Sequence, residues 1–376
     1  MNTKQRIAMI FVLLLSLALS SCAPGQIFGP TVRPTPTNAP TPTSTNTPIP
    51  PTATYTPVPT AAGVTSSGYI IPVQKCAPNC TYKDMVVGFI QNNEGTWGTT
   101  NNASFDEVAK QLGVTLKVYD AQGKVENQIS AFRTFNQDPS VNVIVLAPDD
   151  EKGFDDVLRE AQTAGKLVIV EDHKIDSSAS LYYTHIGSDF VAEGQEGAAA
   201  MCDLLKNSTK RNVVEISGAV GSYVANDRDT GFRQKTSNCG ITVIGSQTGN
   251  WDVQDSKAVM EAWLKNNHDI QGVFAHDDAE AIGAIQAIKE AGLVPGKDIQ
   301  VIGYDATKEG FAALIDGTLG TDIECNPLLG SQVYEAALKG LNGNTTVPAF
   351  VPSQETAFFA AQGPDTLTAI LATRKY

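Results

Sequence analysis

From Met85 to Tyr376, short apolar runs alternate with stretches whose apolar residues recur every three or four positions. The runs "MVVGFI", "TLKVYD", "VNVIVLAP" and "LVIVED" have the length and β-branched character of strands. Between them lie "NASFDEVAKQLG", "VENQISAFRTFNQ" and "GFDDVLREAQTAG", which carry helical spacing; two of them close on Gly. The pattern then repeats. "NVVEISG", "ITVIGSQ", "GVFAHDD" and "IQVIGYD" alternate with "EGQEGAAAMCDLLKN", "VANDRDTGFRQKTS", "DSKAVMEAWLKNN" and "AEAIGAIQAIKEAG". Strands that are apolar throughout and linked by helices predict parallel sheets covered on both faces. The expected fold class is α/β, with two similar doubly wound parallel-sheet lobes. No long linker separates them, so short crossing segments should join them, and the cleft between is the natural place for a small molecule.

Polar residues gather where the strands stop. In the first half these are Asn92, Asn93 and Glu94, then Asp120, Asp149, and Asp172 with His173. In the second half they are Ser217, Gln247, Asp277 with Asp278, and Asp305. Turn chemistry explains part of this, and one Asp of "HDD" suffices as a helix N-cap. The carboxyl edges of such sheets are also where ligands bind. Trp97 and Trp251 follow two of these strands. Carboxylates, amides and an Arg between two aromatic faces suit a sugar: the polar groups bond hydroxyls and the rings cover the C–H face.

The N-terminal end changes the picture. Lys4 and Arg6 precede an apolar run from Ile7 to Leu19, which is short for a membrane span and right for a secretion signal. It stops at "LSSC", which resembles a bacterial lipoprotein signal; that resemblance implies a signal peptide over 1–21 and acylation of Cys22. The alternative is an ordinary secretory signal with an incidental Cys. Residues 22–68 are mostly Thr and Pro and hold 11 of the chain's 20 prolines. They bury too little to fold and predict a disordered tether, with a reach of at most ~140 Å at ~3.1 Å per residue. Loss of the leader takes the formal charge from −13 to −15. An acidic body without a basic cluster is a poor partner for nucleic acid, so none is expected, and it argues weakly against an anionic ligand.

Export makes disulfides possible. Cys76 and Cys80 in "CAPNC" can close locally, Cys202 and Cys239 are a second candidate pair, and Cys325 is left over. His173, His185, His268 and His276 are scattered and do not have metal-ligand spacing, so neither a metal nor a cofactor is expected.

"HIGSDFVAEG", "GAVGSYVANDRDTGF", "VENQISAFRTF" and "VFAHDDAEAIGAIQAIKEAGLVPGKDIQVIGYD" resemble the periplasmic sugar-binding proteins of ABC importers, the group of ribose and galactofuranose binders. The resemblance runs over nearly all of Met85 to Tyr376. It implies a three-segment hinge, with crossings near Ile186–Gly187, Glu324–Cys325 and Phe350–Pro352. The first lobe would then comprise 84–186 and 326–350, the second 187–325 and 351–376. It also implies roles: Trp97 and Trp251 pack on the sugar, Asp172 belongs to an Asp-Arg pair, Arg228 binds hydroxyls and Asp278 accepts from them. Asn93, Glu94, Asn226, Asp305 and Glu324 complete the ligand set. Three positions depart from the family pattern. His173 replaces an Arg, Gly98 stands where the galactofuranose binder has Arg, and Asp277 replaces an Asn. Losing two planar multi-donor groups leaves the choice of furanose, pentose or hexopyranose open.

A glycosidase would need two opposed acids, but these acids sit in a pattern repeated over two lobes, and the resembled family does no chemistry. No GxSxG elbow is present, and "GLVPGKD" fails as a phosphate loop. The expectation is therefore not an enzyme. It is a monomeric, lipid-anchored binder on the outer face of a bacterial membrane, which encloses a monosaccharide ligand and hands it to an ABC permease. The alternative is a receptor that reports to a membrane sensor, because closure is what either partner reads.

Overall fold

The computed structural model describes residues 61–91, 95–266 and 269–376. The signal sequence, Cys22, the stretch up to residue 60, Asn93 and Glu94 lie outside the described residues. A hairpin comes first, β1 (Ala61–Val64) paired antiparallel with β2 (Ile70–Pro72). The tether expected to run to residue 68 therefore gives way to structure by residue 61. The reason is local: Tyr69 and Ile71 are fully buried in the first lobe's core, and the Tyr69 hydroxyl donates to the Lys166 carbonyl and accepts from the Val168 N–H.

The first lobe continues with β3 (Val86–Gln91), α1 (Gly95–Leu112), β4 (Thr115–Asp120), α2 (Val125–Gln137), β5 (Val143–Leu146), α3 (Asp155–Thr163), β6 (Leu167–Glu171) and β7 (Thr184–Gly187). The second holds α4 (Phe190–Leu204), β8 (Asn212–Ser217), α5 (Tyr223–Thr236), β9 (Thr242–Thr248), α6 (Val253–Asn266), β10 (Gly272–Ala275), α7 (Asp278–Glu290), β11 (Gln300–Tyr304), α8 (Lys308–Ile315) and β12 (Thr321–Ile323). The chain then returns through α9 (Gly330–Leu341) and β13 (Phe350–Pro352) and ends in β14 (Ala357–Phe359) and α10 (Pro364–Leu371).

Each lobe has a six-stranded sheet, β4-β3-β5-β6-β7-β13 in the first and β9-β8-β10-β11-β12-β14 in the second. In both, the order reverses beside the first strand, which opens a crevice at the carboxyl edge. Every residue of β5 and β6 is buried, as their unbroken "VIVL" and "LVIVE" demand, whereas the edge strands β4 and β9 expose many of their side chains. Helices cover both faces. Phe105, Val333 and Tyr334 pack on one side of the first sheet, with Phe132, Phe135 and Leu158 on the other.

The chain passes between the sheets three times: after β7, after β12 and between β13 and β14. The third passage lies just past the expected Phe350–Pro352, because those residues pair with β7 (Phe350 with His185). The described chain thus starts at the amino ends of the first lobe's strands, where Asn342 ties down Cys80 through its side-chain amide. The crossings and the carboxyl edges lie at the other end. Cys76 is bonded to Cys80 and Cys202 to Cys239; Cys325 is a buried free thiol.

Candidate functional site

The second lobe's site starts from a close helix contact. A β-carbon on Gly194 of α4 would lie 2.1 Å from the Arg228 carbonyl oxygen, and one on Gly231 of α5 would lie 2.0 Å from that of Val191. The backbones touch there, so Glu193 on α4 reaches Arg228 on α5. Arg228 Nε donates to Glu193 Oε2 at 2.7 Å, Nη1 donates to the His276 carbonyl at 2.5 Å, and Nη2 lies 3.8 Å from Asp305 Oδ1. Its guanidinium sits 4.7 Å from the Tyr304 ring centroid and 5.3 Å from that of Phe190. Burial alone would lower the Arg228 pKa; Glu193 and Asp305 outweigh it and hold the pKa well above its usual value. The cation is therefore permanent and fixed on three sides.

Asp305 follows β11 with φ of 96° and keeps 20 % of its side chain exposed. Burial pushes its pKa well up, against the pull of Arg228. Asp277 lies beside it: burial raises its pKa to about 6, and the Glu280 N–H and Arg228 work the other way.

The two aspartates of "HDD" have separate duties. Asp277 caps α7, its Oδ1 accepting from the Glu280 N–H at 2.7 Å. Asp278, expected to accept from the ligand, is turned into the lobe. Its Oδ2 accepts from the Thr307 N–H at 2.8 Å and the Thr307 hydroxyl at 2.6 Å, beside Asp322. At the first position of a helix the side chain points away from that of the cap, which leaves Asp277, not Asp278, as the aspartate of the pair on which Arg228 acts.

Backbone strain marks the same edge. Among the described residues six non-glycines have positive φ, and all six lie within three residues after a strand: Gln122, Asp172, Asn250, Trp251, Asp305 and Ala306. Such residues cost about 1–3 kcal/mol each and collect at functional sites. Trp251 is held there by Glu280, whose Oε1 accepts its N–H at 3.1 Å while Oε2 accepts that of His276 at 3.0 Å. Its ring lies on Gly218, where a β-carbon would stand 1.9 Å from it.

The first lobe faces this cluster. Trp97 on α1 donates its indole N–H to the Cys325 carbonyl at 2.9 Å. Trp97 and Trp251 both pack on the apolar group of Phe190, Val224 and Cys325, so the structure brings the two expected aromatics together. The Asp172 carbonyl meets His185 Nε2 at 2.8 Å, and Asp172 Oδ2 lies 3.4 Å from His173 Nε2. The His173 ring stands edge-on to Tyr223 of the second lobe at 5.2 Å, and Lys174 reaches across to Asp227 at 2.7 Å. The lobes are therefore in contact around the site.

Two further expected residues sit elsewhere. Asn226 is exposed, because two positions along a helix from Arg228 is nearly the opposite face. Glu324 is held by the C-terminal tail, its Oε1 accepting from Arg374 at 3.0 Å and from the Tyr376 hydroxyl at 2.5 Å. Glu193 and Glu280 escaped the sequence reading, since an acid in the first turn of a helix looks solvated. Gly194 and Gly231, glycines inside helices, were the available signal of a close approach.

Two lobes with parallel sheets and a polar cleft at their carboxyl edges define a two-lobed binding protein. Residues 87–345 match the family described as periplasmic binding protein domain, and the chain belongs to that family. It is 35% identical over 297 residues to the galactofuranose-binding protein YtfQ of Escherichia coli (strain K12), covering 77% of this chain and 92% of that protein. A crystal structure from Mycobacterium smegmatis in complex with β-D-fucofuranose is 38% identical, with a TM-score of 0.68 over 78% of this chain and 95% of that one. The binding component of the arabinose ABC transporter of Shewanella sp. ANA-3, bound to α- and β-L-arabinofuranose, is 36% identical, with a TM-score of 0.70 over 77% and 96%.

Proposed function

We propose that this protein is an exported, lipid-anchored receptor that encloses one neutral monosaccharide, in its furanose form, and presents it to an ABC importer permease. The observation that carries the reading is the cluster of Arg228, Asp277 and Asp305 at the second lobe's carboxyl edge, with Trp97 and Trp251 on one apolar group beside it. The guanidinium donates to sugar oxygens and the carboxylates accept from hydroxyls, in a setting where an unmatched epimer leaves a buried polar group unpaired. The indole faces cover the C–H side. Several acids around one cation repel a phosphorylated or carboxylated sugar. The three relatives named above are a galactofuranose binder and proteins holding fucofuranose and arabinofuranose, which supports the five-membered ring.

Transport follows from closure. The sugar binds the preformed second lobe, and the first lobe then adds Trp97, Asp172 and His173. A ligand shifts the lobes only by binding the closed form better than the open one. The "LSSC" leader and the Thr/Pro stretch provide the anchor, and the folded body begins at the end of the lobe remote from the cleft, which leaves the mouth clear. Asp277 and Asp305 lie on one lobe beside one Arg, an arrangement that accepts hydroxyls; glycoside hydrolysis places its two acids on either side of a bond.

The test is calorimetric titration of the protein with L-arabinose, D-galactose, D-fucose, D-ribose, D-glucose, D-xylose and a galactofuranoside. One tight, exothermic, one-to-one ligand with furanose character is expected, and glucose should be silent. A folded protein that binds none of them overturns the reading.

A further inference from the structure

The three chain crossings converge on one buried cluster next to Arg228. Ser188 follows β7, Cys325 follows β12, and Ser353 and Glu355 lie between β13 and β14. Ser188 Oγ is 3.3 Å from Cys325 Sγ and 3.3 Å from Ser353 Oγ. Ser353 donates to Glu355 Oε1 at 2.5 Å, and the Ser188 hydroxyl donates to the same oxygen. Glu193, in the first turn of α4, closes the ring: one ligand atom from each of Glu193, Cys325 and Glu355 lies within 4.8 Å of the other two. Glu193 is 3% exposed; its Oε2 holds Arg228, while its Oε1 is buried beside Ser188 and Cys325 without a hydrogen bond of good geometry. A buried carboxylate oxygen without a well-aligned donor is costly, and this one belongs to a group with a thiol and a second carboxylate beside it.

We propose that Glu193, Cys325 and Glu355 form a zinc site that clamps the hinge. One thiolate with two carboxylates suits a borderline-soft divalent ion; magnesium and calcium prefer oxygen alone. Zinc bonds of ~2.3 Å to sulfur and ~2.0–2.2 Å to oxygen imply ligand-to-ligand edges of roughly 3.4–3.6 Å in a tetrahedron. The three side chains would need to draw in by about 1 Å at most, with a water in the fourth position. On binding, the Cys325 thiol and Glu355, whose carboxyl burial raises to about 8, give their protons to solvent as the bonds to zinc form. Two carboxylates and a thiolate are then balanced by zinc and Arg228, and Glu193 Oε1 gains a well-placed partner. Each crossing contributes to the cluster, so the metal favours the arrangement in which the crossings converge. By reciprocity, zinc and the enclosed sugar then strengthen each other's binding. That coupling rests on the sugar reading; the metal site does not.

The experiment is equilibrium dialysis of the full chain against zinc chloride without sugar, paired with a cobalt(II) absorption titration. One tightly held zinc per chain is expected, with a thiolate-to-cobalt charge-transfer band in the near ultraviolet. Cys325→Ser should lose the band and that equivalent of zinc, and Glu355→Gln should weaken zinc at least tenfold while circular dichroism stays that of the folded protein. Absence of a tight equivalent in the parent protein overturns the site, as does a band or a stoichiometry that survives both substitutions. Zinc bound as expected, with sugar affinity unchanged by it, would keep the site and overturn the clamp.

Discussion

The two lobes share one strand order, yet they end differently and hold different chemistry. In the first lobe the sixth strand, β13, is parallel to its neighbour; in the second, β14 is antiparallel. The route of the chain explains this. β13 arrives after a full helical return and runs towards the cleft. β14 follows it by a short crossing at cleft level, enters beside the end of β12 and runs back, pairing Ala357 with Ile323. The same crossing supplies Ser353 and Glu355 to the hinge. The chemistry is as unequal as the topology. The second lobe carries Arg228 bonded to Glu193, Asp277 bonded to the Glu280 N–H, and a partly exposed Asp305 3.8 Å from Arg228, while the first offers Trp97, Asp172 and His173. A rigid polar set loses little order on binding. On the proposed reading, the second lobe therefore recognises the sugar and the first covers it.

The largest effect should come from the centre of that asymmetry. Arg228→Ala removes the only cation bonded to Glu193 among the described residues and leaves that carboxylate buried and uncompensated. Sugar binding should fall more than 100-fold, and urea unfolding should show a loss of about 3–5 kcal/mol. Near-normal affinity in a folded Arg228→Ala protein would shift recognition to the first lobe.

The next test separates the adjacent aspartates. Burial raises the Asp277 pKa to about 6, and on the proposed reading its ionised form accepts sugar hydroxyls more strongly than its protonated form. Binding therefore releases its proton at low pH, and the dissociation constant should rise about tenfold between pH 7.5 and pH 5, one unit below that value. Asp277→Asn should weaken binding at pH 7.5 and flatten the pH profile. Asp278→Asn, altered inside the lobe, should leave the affinity within about twofold. A flat profile in the parent protein, or a larger loss from Asp278→Asn, would return the ligand role to Asp278.

The smallest effect concerns the covering side. Trp97→Ala and Trp251→Ala should each weaken binding by ~1 kcal/mol, about fivefold, through lost ring packing. Titration calorimetry distinguishes this from an unchanged affinity, which would confine that ring to the apolar group around Phe190.

Much of this was legible along the chain because it is written in local periodicity. "VIVL" and "LVIVE" could only be buried strands, and the βα alternation run twice leads directly to two parallel-sheet lobes. The expected Trp97 and Trp251 meet at one apolar group, and Arg228 lies near Asp305, because the pattern locates the strand ends and helices that carry them. Asp277 and Asp278 show where such reading stops. Both sit at the same strand end, and one residue of helical rotation decides which meets the ligand; a spacing rule locates the end without orienting the side chain. Asn226 failed likewise, by its helix face, and Glu324 by the distant Arg374 and Tyr376 that hold it.

The sequence by itself determined the fold class, the doubling of the lobes and the edge where a ligand belongs, since each depends on residues near one another in the chain. Only the tertiary structure decided which of the two aspartates caps the helix and which turns into the lobe, that Glu193 fixes Arg228, and that Ser188, Cys325 and Glu355 meet at the hinge. Those contacts join residues as much as 167 positions apart. Their geometry is set by helix packing at Gly194 and Gly231 and by the chain's three crossings, neither of which leaves a periodic trace in the sequence.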